Sequence, residues 1–167
     1  ATPANKNVAS SHAHFARKLT GTEDVVIIEY GEGKPGDVAK FAATTKPDKA
    51  IITGLAPAHL DKYKTLDAAA KDIFSVSKAV GEANTYVNSE AESSKPYITS
   101  GQHVYSRTGT MGWKVSAIRT TVEGTSFTMQ TGKRNLKLHS KLIGEHLVGS
   151  LALCVALAAE LGLNDAQ

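Results

Sequence analysis

Two residues that could hold a divalent metal ion follow predicted β-strands in the first half of the chain. Glu29 ends the apolar run Val25–Ile28, and His59 lies just past a second apolar run, Ala50–Thr53. Ligands of open parallel sheets bind outside the carboxyl ends of the strands. If the two strands are neighbours, a carboxylate and an imidazole face one cleft and could share a cation. Oxygen ligands suit magnesium, and the histidine also admits manganese.

Spacing alone leaves the alternatives open. A glutamate at a strand end is commonly a surface or capping residue, and a histidine in a loop is commonly solvated or hydrogen-bonded. The glycine-rich segment Gly31–Gly36 lies between a predicted strand and a predicted helix, where such loops can cradle phosphate. Because Pro35 follows Lys34 and removes a backbone donor, the sequence favours a tight structural turn there. No complete Walker-type loop occurs in the chain.

Other residues whose side chains could take part in catalysis or binding are interpreted as structural. His12 and His14 lie two apart near a predicted helix and are interpreted as surface residues. Cys154, the only cysteine, lies in an apolar helical run and is predicted to be a small core residue. Trp113 is predicted to anchor a core. No Ser/His/Asp or Cys/His arrangement predicts a nucleophile.

The elements that must position these residues alternate in the first half of the chain. Strands are predicted at Val25–Ile28, Ala50–Thr53 and Thr85–Asn88, with helices from Asp37 to Thr44 and from Leu66 to Val80. Strand–helix alternation predicts right-handed crossovers and a parallel sheet.

The second half has a different pattern. Residues 96–130 form short alternating segments punctuated by glycines, which predicts an antiparallel meander with a hairpin turn at Val122–Thr125. A further strand is predicted at Asn135–Leu142, and an Ala- and Leu-rich helix at Gly144–Leu161 that stops at Gly162. The predicted fold class is α/β, a mostly parallel sheet flanked by helices, with an antiparallel β meander in the second half.

Composition narrows the class of protein. The chain has 167 residues, enough for one domain with a sizeable core, and a formal net charge of +3 with its basic residues spread out. This spread disfavours nucleic-acid binding. The sequence shows neither a signal peptide nor an apolar run long enough to span a bilayer, so a cytoplasmic protein without a membrane partner is expected.

Several segments, in this order, resemble the Mur ligase family. Thr2–Asn7 weakly resembles the Thr-x-Gly-Asn-x-Asn stretch of the branch that adds D-alanyl-D-alanine. Ile28–Gly31 with Pro35–Val38 is similar to the family's Glu-x-Gly and Gly-Asp-Ile segment. Lys46–Thr53 with Ala58–Asp61 is similar to its Pro-Asp-x-Ala-x-x-Thr and His-Leu-Asp segment, and Gly144–His146 resembles its Gly-x-His-Asn helix start.

The resemblance implies a central ATP-binding domain of a ligase that forms an amide bond on a peptidoglycan precursor, in cell wall biogenesis and the maintenance of cell shape. A substrate carboxylate would attack the γ-phosphate of ATP, and an amine would displace phosphate from the acyl phosphate. Glu29 and His59 would hold Mg²⁺ and serve catalysis. His146 would lie near the adenine. Asn5 and Asn7 would line the approach to the phosphates and to the UDP-N-acetylmuramoyl-peptide precursor.

The same resemblance makes residues 1–167 a single central-type domain, expected to be inactive alone and to bind ATP weakly at best. The family's phosphate-binding loop would precede Ala1, and flanking domains would bind the precursor and the amino acid or dipeptide. Leu147 and Ser150 stand where the family has Asn, and Ala70 where many members have a carbamylated lysine. An alternative is therefore a catalytically inactive Mur-like scaffold or binding domain. A more remote alternative is an unrelated nucleotide-binding α/β domain.

Overall fold

The computed structural model describes residues 1–164. The chain divides into two compact units, Ala1–Thr85 and Tyr86–Gln167. The helices are α1 Ala9–Ala16, α2 Asp37–Thr45, α3 Leu60–Tyr63, α4 Leu66–Phe74, α5 Ser77–Val80 and α6 Val148–Glu160. The strands are β1 Ala50–Ile52, β2 Thr85–Asn88, β3 His103–Ser106, β4 Gly109–Thr110, β5 Trp113–Thr121, β6 Gly124–Thr131 and β7 Arg134–Ser140. Short 3₁₀ turns occupy Glu82–Asn84, Glu92–Tyr97 and Glu145–Leu147.

The predicted helix from Asp37 to Thr44 is confirmed as α2, and the helix predicted from Leu66 to Val80 is present in two pieces. Thr65 caps α4, because its hydroxyl accepts a hydrogen bond from the Ala68 amide at 3.1 Å. The amides of Ser75 and Val76 then bond three residues back instead of four, which tightens the chain and separates α4 from α5.

The prediction of a strand at Val25–Ile28 is wrong in the structure. These residues are extended but join no ladder, and Val25, Val26 and Ile27 expose 50%, 40% and 64% of their surface. Apolar β-branched composition indicates preference for an extended backbone, but a strand also needs a pairing neighbour. Here the Thr2 amide donates to the Ile27 carbonyl at 2.9 Å, so the N-terminal residues hold the segment.

The second unit is built on a mixed sheet. Strand β2 pairs with β3 in parallel, through Val87 opposite Val104, and the strands from β3 to β7 then pair antiparallel in chain order. The predicted hairpin is confirmed, with Thr121 opposite Gly124 around a two-residue turn. At the start of the predicted meander, Tyr97 instead ends a 3₁₀ turn that contains Pro96.

Helix α6 covers one face of this sheet and forms its core. The buried cluster consists of Trp113, Phe127, Met129, Val148, Ala152 and Ala156. Trp113 is 7% exposed, as predicted for a core anchor, and the Arg134 guanidinium lies 5.0 Å from its ring centre. The helix stops at Gly162 in a left-handed conformation, where the Leu163 amide bonds the Ala158 carbonyl, the pattern of a Schellman motif.

The α/β fold class, a mixed sheet flanked by helices with an antiparallel meander in the second half, is confirmed. Cys154 departs from its prediction as a core residue: it lies on α6, but its side chain is exposed. The period of an all-apolar helix does not show which face the sheet covers, so the sequence could not place it. Within residues 1–164, no helix combines the length and the hydropathy that crossing a bilayer requires.

Candidate functional site

The N-terminal residues fix the backbone around Glu29. Thr2 Oγ1 accepts a hydrogen bond from the Glu29 amide at 3.2 Å. The Asn7 carbonyl accepts one from the Gly31 amide at 2.8 Å. Asn7 also packs against Gly31 so closely that a Cβ at that glycine would overlap the Asn7 side-chain amide. Residues 2–7 and 27–31 therefore form one locally braced segment, to which Asn7 and Glu29 both belong.

His12 completes this bracing and corrects a prediction. It was expected at the surface, yet it is fully buried, and its Nε2 lies 2.9 Å from the Glu29 carbonyl oxygen. Its ring packs 5.5 Å from that of Tyr30 and 5.1 Å from that of Phe41. His14, on the same helix, is exposed as predicted. The spacing of His12 and His14 did not show that His12 would be buried. Helix α1 has no apolar stripe that would indicate which of its faces packs against the rest of the unit.

The loop that follows Glu29 is held by carboxylates and a phenol. Asp37 Oδ2 accepts hydrogen bonds from the amides of Gly33 at 3.2 Å and Lys34 at 3.1 Å. Asp72 Oδ1 accepts one from the Gly36 amide at 2.9 Å. Asp37 therefore holds the loop that precedes α2. These contacts support the interpretation of residues 31–36 as a structural turn.

Tyr63 joins the same network from α3. Its hydroxyl lies 2.8 Å from Asp72 Oδ2 and 3.0 Å from the Lys34 carbonyl oxygen. A hydroxyl has one proton to donate, so the two acceptors share it and the charged one takes the larger part. Burial raises the pKa of Tyr63 above its ordinary value, and the adjacent Asp72 carboxylate raises it further. The phenol therefore acts as a neutral donor that braces the loop.

Glu29 and His59 both lie in the first unit with exposed side chains. Glu29 follows an extended segment and not a β-strand, and His59 has a left-handed backbone with φ of 53° immediately before α3. In the described part of the chain, neither side chain makes a hydrogen bond or ion pair within the protein. Both are thus free to accept an external ligand.

The side chains available as ligands suit a magnesium ion only if water or substrate phosphates also bind it. Among residues 1–164, no cluster of three or more His, Cys, Asp or Glu side chains is arranged to hold a metal ion. Magnesium usually keeps several waters and is bound through one or two carboxylates together with substrate phosphates. A carboxylate such as that of Glu29 and an imidazole such as that of His59 are ligand types that a site shared with substrate can use, whereas residues 1–164 offer no closed site of three or more protein ligands.

A second candidate site lies in the second unit. Asn88, Glu90, Ala91, Arg107 and His146 line a pocket of about 320 Å³. Asn88 ends β2, so the pocket opens at the carboxyl end of a parallel strand, where α/β sheets bind ligands. His146 belongs to the 3₁₀ turn that precedes α6, where the helix start was predicted. Its ring packs over Gly144, where a Cβ would lie 2.5 Å from His146 Cε1.

Charged groups organise the pocket. Arg107 Nε lies 2.8 Å from Glu90 Oε1, and the Arg107 amide donates to Glu90 Oε2 at 3.1 Å. The same guanidinium lies 3.7 Å from Glu145 Oε2. Asn88 Oδ1 accepts a hydrogen bond from the Glu90 amide at 3.0 Å. The pocket thus offers a cation, a carboxylate, an amide and an imidazole at one opening.

Sequence reasoning missed four of the five lining residues and found only His146. Asn88 could have been found from its place at a strand end, as Glu29 was. Glu90 and Arg107 are 17 positions apart and carry no local signal, because only the pairing of β2 with β3 brings them together. Asn5 is exposed, with φ of 60°, and lies outside this pocket.

The departures at Ala70 and Ser150 have structural explanations, and nothing in the structure explains the one at Leu147. Ala70 is fully buried in the first unit, and a long side chain would have no space there. Ser150 forms a hydrogen bond with the Tyr105 hydroxyl in the second unit. Burial raises the pKa of that phenol to about 12, while the Ser150 bond acts in the opposite direction.

Comparison with known proteins gives the family. A model of the Mur ligase middle domain matches residues 2–158. The chain belongs to this family. The Mur ligase domain is 26% identical over 151 residues to the UDP-N-acetylmuramoyl-tripeptide--D-alanyl-D-alanine ligase of Escherichia coli K12, covering 87% of the chain and 33% of that protein. The chain therefore spans about a third of the length of this relative.

Solved structures agree on the fold. MurF from Acinetobacter baumannii superposes with a TM-score of 0.77 at 18% identity, covering 98% of the Mur ligase domain and 37% of that chain. MurF ligase from Thermotoga maritima in complex with ADP gives a TM-score of 0.62 at 17% identity, covering 98% of the domain and 40% of that chain. The resemblance stated from the sequence, including the branch, is confirmed.

Proposed function

We propose that this Mur ligase domain is the central nucleotide-binding domain of an ATP-dependent ligase that forms an amide bond on a peptidoglycan precursor. The observation that carries the proposal is the family match over residues 2–158. The relative in Escherichia coli is a UDP-N-acetylmuramoyl-tripeptide--D-alanyl-D-alanine ligase, which favours a UDP-N-acetylmuramoyl-peptide and a dipeptide as substrates. Flanking domains would bind these two substrates, and residues 1–167 would form the single central domain between them. A cytoplasmic location follows from that chemistry.

Each part of the domain would have a separate role. The pocket lined by His146 and Arg107 would bind the nucleotide, with His146 near the adenine, as its position at a strand end supports. Asn5 and Asn7 would line the approach to the phosphates. Glu29 and His59 would hold Mg²⁺, which when bound screens the negative charge of the phosphates. The residues of the domain itself would orient the phosphate tail for attack by the substrate carboxylate and shelter the resulting acyl phosphate until the amine displaces phosphate.

Binding measurements on the 167-residue chain test the nucleotide site. Calorimetric titration with ADP and Mg²⁺ should show weak binding, because no Walker-type loop is in the chain. His146→Ala and Arg107→Ala should weaken it further, whereas Lys133→Ala, an exposed substitution on the turn between β6 and β7, should not. Equal affinity in all four proteins would contradict the assignment of the pocket. ATP-dependent amide formation by this chain alone would contradict the expectation that a phosphate-binding loop and flanking domains are needed for activity.

A catalytically inactive Mur-like scaffold or binding domain is the second candidate. Buried Ala70 favours it, because this position cannot supply a carbamylated lysine as a second metal ligand. Ser150 favours it as well, because its side chain is engaged by Tyr105. The parent reading frame discriminates between the two candidates. A Gly-Lys-Thr or Gly-Lys-Ser a short way upstream of Ala1 supports the ligase, and its absence from the whole frame supports the scaffold.

A further inference from the structure

His12 has an arrangement that packing alone does not explain. Its side chain is fully buried between Tyr30 and Phe41, and its Nε2 bonds the Glu29 carbonyl at 2.9 Å. A carbonyl oxygen only accepts hydrogen bonds, so Nε2 must carry the proton. In that tautomer the other ring nitrogen, Nδ1, is an acceptor.

Nδ1 of His12 has no hydrogen-bond partner. An unsatisfied buried polar atom lowers stability, and an apolar side chain would fill the space between two aromatic rings without that cost. What the imidazole offers and an apolar residue cannot is the Nε2–H aimed at Glu29. The bond to the Glu29 carbonyl is therefore the function of this side chain that the structure supports.

The Glu29 backbone depends on this bond. Residues 25–28 join no ladder, so no neighbouring strand sets the orientation of Glu29. Its amide is held by Thr2 Oγ1 at 3.2 Å, and its carbonyl by His12 Nε2 at 2.9 Å. With both backbone groups held, the direction of the Cα–Cβ bond is set, and with it the region that the exposed carboxylate can reach.

We propose that His12 is a positioning residue that aims the Glu29 carboxylate at the divalent cation. The inference rests on the proposed metal role of Glu29 and adds the group that orients this ligand. Groups that hydrogen-bond a metal-ligating side chain typically contribute tenfold or more to metal affinity, and His12, which acts through the Glu29 backbone, is expected at the lower end of that range. His12 does not contact the cation itself.

The test titrates the 167-residue chain with Mn²⁺ and follows the line broadening of backbone amides near residues 29 and 59 by NMR. His12→Leu removes the donor and keeps an apolar filling, whereas His12→Gln keeps an N–H donor at about the same reach. We expect His12→Leu to bind Mn²⁺ about tenfold more weakly and His12→Gln to retain the wild-type affinity. Thr2→Val, which removes the other hydrogen bond to Glu29 near the chain terminus, should also weaken binding. Glu29→Gln should abolish the local broadening.

These outcomes separate the two claims. Loss of broadening in Glu29→Gln together with wild-type affinity in His12→Leu would overturn the positioning role of His12, whatever the result for Thr2→Val, and leave the metal site intact. Unchanged broadening in Glu29→Gln would overturn the metal role of Glu29 and the positioning role with it. Long-range ¹H–¹⁵N spectra give a readout without metal: Nε2 must carry a ring proton, and a ring protonated on Nδ1 alone would contradict the hydrogen bond. Equal thermal stability of His12→Leu and His12→Gln would exclude general unfolding as the cause of their difference.

Discussion

Replacement of Gly149 by alanine tests how closely α6 approaches the turn at Arg107, which lines the proposed nucleotide pocket. A Cβ at this position would lie 2.9 Å from the Ser106 carbonyl carbon and 3.1 Å from the Arg107 nitrogen. Both atoms belong to the backbone, so no side chain can rotate away to make room.

Two effects of opposite sign decide the result. Alanine is favoured over glycine inside a helix by about 1 kcal/mol. Inserting a methyl group into a close-packed contact costs up to about 3 kcal/mol when the neighbours cannot give way. We therefore expect a net loss of stability of about 2 kcal/mol, or a melting temperature lower by roughly 4–8 °C for a chain of this size. Since Arg107 lines the pocket, the affinity for ADP should fall as well.

Thermal unfolding followed by circular dichroism measures the stability, and calorimetry measures ADP binding. The matched control is Cys154→Ala on the same helix, whose side chain is exposed, so that it should change stability by less than about 0.5 kcal/mol. If Gly149→Ala melts at a higher temperature than the wild type, helix propensity outweighs the contact. The close approach of α6 to Ser106–Arg107 would then not be a constraint on the pocket.

Three further outcomes follow from the hydrogen bonds and buried groups. Tyr63→Phe should cost about 1.5–3 kcal/mol in urea unfolding, because Asp72 loses a charged hydrogen bond; the loss should be smaller in an Asp72→Ala background, where only the bond to the Lys34 carbonyl remains, and an equal loss in both backgrounds would show that the phenol acts otherwise. Thr65→Ala should cost about 1 kcal/mol by removing the N-cap of α4, whereas Thr65→Ser should cost little, and an equal loss in both would refute the capping role. Because burial raises the pKa of Tyr105 from 10.0 to about 12, the unfolded chain releases this proton first, so stability should fall as pH rises from 10 to 12. Tyr105→Phe should reduce that alkaline slope by up to about 1.4 kcal/mol per pH unit, and an unchanged slope would contradict the assigned pKa.

Local patterns in the sequence predicted most of the helices and strands. The apolar period of residues 66–80 predicted a helix, and glycine-punctuated alternation predicted the meander, because these signals depend only on near neighbours in the chain. The strand predicted at Val25–Ile28 failed because strand formation needs a partner that local composition does not supply. The same limit applies to Cys154, since the face of an all-apolar helix that is buried depends on what packs against it.

The same distinction between local sequence signals and long-range contacts holds for the residues of the candidate site. The sequence by itself determined the family, because short motifs around Glu29, His59 and His146 keep residue types whose chemistry does not depend on the fold around them. Only the tertiary structure showed that His12 bonds the Glu29 carbonyl and that Glu90 pairs with Arg107. Each of these contacts joins residues 17 positions apart, and such distances close only when helices and strands pack. Burial turned a histidine expected at the surface into a fixed hydrogen-bond donor, since the protein interior removes the water that would otherwise compete for its nitrogen.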